Sequence, residues 1–246
     1  MPQLQVFRIM DPLLIRAASG MKARMESLDM LANNISNSGS PGFKADRELF
    51  TLAHSDLPLI EKQWTDFSQG TIQPTGNPGD LSLDGKGFIA LNSPNSPGIV
   101  YARSLSFEVN GQNKLAASGG GYTLRNARDP AKRPLVVDPL RPVDIDRTGV
   151  VRQNGQELGQ LEIVGFADPA ALSKLGGSYF AQLDPRGAAT ASAAVVRQGA
   201  LEQSNVSPAD QSIRLVSVMR QFEMLQRAMT LGAEMNRRAV EEVARV

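Results

Sequence analysis

Seven apolar residues spaced alternately four and three apart, Leu14, Ala18, Met21, Met25, Leu28, Ala32 and Ile35, constrain this chain more than any other feature. That spacing is a heptad seam, and it predicts one helix over residues 11–36, roughly 39 Å long at 1.5 Å per residue. Asp11 supplies an N-cap, and Pro12 fits the first helical position, where an amide would have no intrahelical partner. Asn37-Ser38-Gly39-Ser40-Pro41-Gly42 ends the helix, because glycine and proline bring turn geometry and a missing donor. A second helix is expected at the other end, where Ser207-Pro208-Ala209-Asp210 combines an N-cap, an N1 proline and an acidic N3 residue. Its seam runs through Leu215, Val218, Phe222, Leu225 and Met229 and weakens at Gly232 and Asn236.

Between these helices the grammar changes to short apolar runs broken by Gly, Pro, Asn and Asp, which marks antiparallel sheet. Asn110-Gly111 and Asn154-Gly155 each read as a type I′ hairpin turn. Strands are also expected at 81–83, 88–91 and 143–145, and a short helix at 168–175 behind Pro169. The fold class that follows is α+β: a mainly-β central domain flanked by long N- and C-terminal helices that pair as a coiled coil. Residues 1–37 with 207–246 form the discontinuous helical domain, 38–80 and 187–206 are extended connectors, and 81–186 form the β-rich domain.

Charge and composition narrow the function. Lys plus Arg number 26 against 25 Asp plus Glu, so no net basic footprint recommends nucleic acid as a partner. The absence of cysteine removes disulfides, thiolate metal sites and thiol nucleophiles together. No apolar run reaches the roughly 20 residues of a spanning helix, so membrane insertion is not expected. Arg8, Asp11 and Arg16 interrupt the one stretch that would serve as a signal-peptide core.

Catalytic chemistry is thin. One histidine, His54, builds neither a metal cage nor a triad in a chain without a nucleophile elbow, and Asp84-Gly85-Lys86-Gly87 lacks P-loop spacing. Asp144 and Asp146 fall on the polar face of a strand, where exposed carboxylates are ordinary. Asn34-Ile35-Ser36 and Asn205-Val206-Ser207 match a glycosylation pattern but abut helix ends, where capping explains them. No catalytic, cofactor or metal site is expected, and no cofactor is implied. A glycan-binding or hydrolytic module, built on Trp64 or Asp144, is the alternative from another class.

Two seams at opposite ends of one chain are most simply explained if they meet and leave apolar surface for neighbouring copies, which head-to-tail contacts extend into rings or tubes. Ala32-Asn33-Asn34-Ile35-Ser36-Asn37, followed by Gly39 and Pro41-Gly42-Phe43-Lys44, resembles the N-terminal signature of flagellar rod and hook proteins. Asp66-Phe67-Ser68-Gln69-Gly70, Thr75-Gly76-Asn77-Pro78, the run from Leu81 to Phe88, the run from Gln198 to Val206 and Arg220-Gln221-Phe222-Glu223-Met224 are similar to the same family, in its order. Tyr101-Ala102-Arg103-Ser104-Leu105-Ser106-Phe107 and Ile89 depart from its usual pattern. The short stretch from Lys44 to Gly70 looks most like the proximal-rod member, with the distal-rod paralogue second.

The resemblance implies a structural subunit of the flagellar basal-body rod that passes torque from motor to hook and filament. It implies export by the flagellar apparatus without a cleaved signal and assembly in the periplasm with other rod proteins and with copies of itself. The assembly residues expected are those of the two seams, Leu14 to Ile35 and Leu215 to Met229. The family-motif positions are Asn33, Asn34, Asn37, Gly42 and Phe43. A distal rod or other tubular axial component is the alternative within this class.

Overall fold

The computed structural model describes residues 12–52, 58–94, 98–119, 121–182 and 190–243, and they fall into two compact units. The first draws on the chain up to Ser36, on Asp46–Thr65 and on the chain from Ser207; the second comprises Asn37–Ala45 and Asp66–Val206. The chain therefore passes between the units four times.

The first unit holds helix α1 (Pro12–Ser36), strands β1 (Asp46–Leu52) and β2 (Pro58–Thr65), and helix α2 (Pro208–Val243). β1 and β2 form an antiparallel hairpin, inside the stretch read as an extended connector, with a bulge between Leu49 and Phe50. Two strands alone are marginal in water, and here they lie against α1. Asn34, fully buried, joins the two: its Nδ2 donates to the Asp46 carbonyl at 2.8 Å while its Oδ1 accepts from the Asp46 amide at 2.9 Å. Asn34 was expected to cap α1; it instead pairs with the hairpin backbone as a strand residue would. α2 opens as its sequence dictates, with the Ser207 carbonyl accepting from the Gln211 amide at 3.0 Å and its hydroxyl from the Asp210 amide at 3.4 Å. The expected N-cap of α1, Asp11, lies outside the described residues.

The long paired coiled coil expected of the terminal helices does not form. α1 and α2 touch, but α1 buries Ala17, Gly20, Ala23, Ser27, Leu31 and Asn34, a different face from the Leu14 to Ile35 seam. The cause is that α1 serves two partners, α2 and the hairpin, so a broad stripe of small residues is covered in place of a narrow heptad ridge. What remains of the expectation is a loose α+β description: two helices and a large multi-stranded β core.

The second unit contains β3 (Ile72–Pro74), β4 (Asp80–Asp84), β5 (Phe88–Asn92), β6 (Ile99–Ala102), β7 (Ser104–Val109), β8 (Leu115–Ala117) and β9 (Thr123–Leu124). There follow β10 (Asp144–Ile145), β11 (Val150–Gln153), β12 (Gln156–Gln160), β13 (Ile163–Gly165), β14 (Leu172–Gly176), β15 (Tyr179–Gln182), β16 (Thr190–Ala191), β17 (Val195–Gln198) and β18 (Ala200–Glu202). The main sheet runs β14-β15-β6-β5-β9-β8-β7-β4-β17, with β13 and β16 attached through β5, and every pairing is antiparallel. β5 is buried on both faces: Ile89 and Leu91 enter one core with Leu81, Leu115, Leu124 and Val151, while Phe88 and Ala90 enter another with Tyr101 and Phe180. The second core is aromatic, with Phe67, Phe88 and Phe180 at centroid separations of 5.2 to 5.9 Å.

Turn chemistry was partly legible. Asn154 and Gly155 take φ of 50° and 77° between β11 and β12, the type I′ turn expected. Asn110-Gly111 does not make one: the left-handed residue is Asn113, and the Asn110 side chain instead accepts from the Gln112 and Lys114 amides, giving a longer loop. The helix expected at 168–175 is one 3₁₀ turn, Pro169–Ala171, capped by Asp168, before the chain extends into β14.

Candidate assembly surface

The second helix is apolar on two opposite faces. Leu215, Val218, Phe222, Leu225 and Met229, spaced as the sequence predicted, lie on its covered side, buried at Val218 and half-buried at the others. A second stripe, Ile213, Val216, Met224, Leu231 and Met235, faces away, and each of these residues is about half exposed or more. At 100° per residue the stripe occupies one arc of the helix, with Arg220 and Arg227 within it. A shallow hollow of about 630 Å³ follows this face, lined by Ile213, Val216, Arg220, Gln221 and Met224 among others. Exposing so many large apolar side chains along one helix is unfavourable to a free monomer and marks a contact surface.

On α1 the predicted seam divides. Ala18, Met25 and Ala32 are exposed, Met25 by 54%, whereas Met21, Leu28 and Ile35 are half-buried; nothing is described of the Leu14 side chain. Glu48 lies against this helix with its Oε2 3.0 Å from Ser27 Oγ, and burial pushes its carboxyl up while the Ser27 contact, Arg24 and Arg214 oppose the shift.

The motif segments do a different job, which sequence reasoning missed. In the second unit Lys44, Arg103 and Glu202 form a buried ionic cluster, with Lys44 and Glu202 side chains fully inaccessible. Lys44 Nζ meets Glu202 Oε1 at 2.5 Å and donates to the Ser68 carbonyl at 2.6 Å. Arg103 donates to Glu202 Oε2 through Nε and Nη2 at 3.1 and 2.9 Å, and to the Gly85 and Gly87 carbonyls at 2.6 Å each. Gly70 N–H donates to Glu202 Oε1 at 3.0 Å. Burial pulls the Lys44 ammonium below its ordinary value, and Glu202 opposes that pull.

Glycines make the close approach possible. A Cβ at Gly70 would lie 1.9 Å from the Gln203 carbonyl, and Gly42, at φ 70°, leads the chain against Ser104. The Asp84-Gly85-Lys86-Gly87 turn thus serves Arg103. A charged residue directly after an apolar run, as Arg103 is after Tyr101 and Ala102, was the available signal.

Phe43 is buried 4.1 Å beneath Lys174 Nζ, Gly42 is buried, and Asn37 accepts from the Ser40 amide, while Asn33 lies on the exposed side of α1. Asp144 is exposed, and Asp146 caps the turn before β11, accepting from Thr148 and Val150 amides and from Arg152. Trp64 is half-buried in β2 opposite Arg47, and His54 lies outside the described residues.

A helix displaying an apolar stripe away from its own fold is the mark of a subunit of a larger assembly, and comparison with known proteins says of which class. Residues 197–242, from β17 through α2, match the family described as flagellar basal body rod FlgEFG protein C-terminal. The chain is similar to the flagellar basal-body rod protein FlgF of Caulobacter vibrioides, at 27% identity over 96% of this chain and 100% of the relative. It is similar also to FlgG of Borreliella burgdorferi, at 28% identity over 89% and 94%, and to FlgF of Mesorhizobium japonicum, at 28% over 87% and 90%. Over most of its length the chain is thus similar to flagellar basal-body rod proteins of both the FlgF and the FlgG kind.

Proposed function

We propose that this protein is a structural subunit of the bacterial flagellar basal-body rod, of the FlgF type, and not an enzyme. The observation that carries the reading is the outward stripe of α2, which falls in the segment matching the rod-protein family. In this role α2 and the exposed part of the α1 seam pack against other rod proteins and copies of the same chain, and many such contacts along an axis transmit torque to hook and filament. The reading includes export by the flagellar apparatus without a cleaved signal and assembly in the periplasm, with no nucleic acid partner. Among the described residues no helix is long and apolar enough to cross a membrane. The FlgF assignment is supported by alignment to a FlgF over nearly the full length of both chains and by the short stretch from Lys44 to Gly70.

Met224→Asp and Leu231→Asp test this. Both positions are exposed, so circular dichroism and the unfolding midpoint of the monomer stay near wild type. Rod assembly, read by electron microscopy of basal bodies and by swimming, is lost, because a charge would have to be buried unpaired at the contact. Full assembly by both variants overturns the proposal.

A further inference from the structure

We infer that Asn205 is the positioning residue of a clamp that gathers three of the four chain crossings between the units into one bonded group. The chain changes unit after Ala45, before Asp66 and after Val206. Asn205 Oδ1 accepts from the Ala45 amide at 2.7 Å, and its Nδ2 donates to the Asp66 carbonyl at 2.7 Å. The same Nδ2 reaches Ser68 Oγ at 3.0 Å and the Ser68 carbonyl at 3.2 Å. Ala45 and Asp66 are bonded directly as well, the Asp66 amide donating to the Ala45 carbonyl at 2.8 Å. One side chain from the last crossing therefore holds the second and third, which already hold each other.

Two neighbours strengthen the arrangement. Phe43, Ala45 and Val206 form a buried apolar cluster beside it, and the bonds to Ala45 and Asp66 are part-buried, where a hydrogen bond is costlier to leave unmade, while those to Ser68 are exposed. Glu202, three residues before Asn205, binds Lys44 and the Gly70 amide, so the same segments are tied a second time by charge. Asparagine is the residue the geometry asks for, since it presents an acceptor to an N–H and donors to carbonyls at once. Aspartate would set a carboxylate against the Asp66 and Ser68 carbonyls; alanine would leave the Ala45 amide without its acceptor. Segments so joined separate only together. This inference does not rest on the rod reading, since it concerns only how the chain is held.

Hydrogen exchange on the full-length protein, followed at single amides, tests it. In Asn205→Ala the Ala45 amide exchanges about tenfold faster, the loss of roughly one hydrogen bond, and the Asp66 amide, whose acceptor is the released Ala45 carbonyl, follows it, while the Leu91, Val100 and Leu124 amides of the β core keep their rates. Asn205→Asp, which keeps the acceptor and loses the donors, spares Ala45 more than Asp66, and it carries the comparison should the alanine variant fail to fold. Unchanged exchange at Ala45 and Asp66 overturns the inference. So does equal acceleration throughout the core, which would make Asn205 a contributor to global stability and no clamp.

Discussion

Glu202 is the carboxylate that both buried cations share, and that sharing ranks the substitutions around it. Glu202→Leu takes from Lys44 and Arg103 the carboxylate that both of them bind, and costs about 3–5 kcal/mol in urea unfolding. Lys44→Met costs less, because Glu202 keeps the Arg103 guanidinium and the Gly70 amide. An equal loss for the two variants would refute the ranking. Asp146 offers a test by pH. The Thr148 hydroxyl, with help from the Val150 and Thr148 amides and Arg152, lowers its carboxyl from 3.8 to about 2. Because the folded value is depressed, its contribution is complete above about pH 4 and is lost as pH falls toward 2. The unfolding midpoint of Asp146→Asn should therefore decline less over that interval than wild type, and parallel declines would count against the assignment. At this scale the sequence was legible only where the chemistry is local. Asn154-Gly155 dictates its own turn, whereas Lys44, Arg103 and Glu202 lie far apart in the chain and only folding reveals them as partners.

Among the elements, α2 shows what a hydrophobic pattern can and cannot tell. Its seam from Leu215 to Met229 was readable because period and spacing are properties of the helix itself, and its start was readable because Ser207 and Pro208 act within one turn. On α1 the same reasoning found the helix but favoured the wrong covered face. Two stripes compete there, and the hairpin, reached through Asn34 and Ser27, selects the one built from small residues. The hairpin itself was hidden, since its strands, Asp46–Leu52 and Pro58–Thr65, fall in the stretch read as polar connector and lie against α1. The two faces of α2 give opposite expectations for one chemical change. Val218→Asp places a charge on the covered side and lowers the monomer's unfolding midpoint, with a cost of about 2 kcal/mol or more, where Met224→Asp leaves it unmoved. Equal midpoints for the two would mean that the covered face contributes nothing to the fold.

At the scale of the whole molecule, the near balance of 26 basic and 25 acidic residues leaves contact surfaces to be defined by apolar stripes and not by an overall field. The β-rich middle was legible in outline from its turn residues, but its division from the helices was not, because the second unit recruits Asn37–Ala45 from between α1 and β1. Their Gly- and Pro-rich start announces only the end of α1; the ionic cluster and the Asn205 hydrogen bonds claim them for the second unit. That recruitment has a bearing on descent. Residues 66–206 begin and end within a hydrogen bond of each other, the Asp66 carbonyl lying 2.7 Å from Asn205 Nδ2. A stretch whose ends meet can be lengthened, trimmed or exchanged for another domain without moving the points at which it is attached. Change in the β-rich part distant from those ends and from the partners of Lys44 therefore leaves the crossings where they are.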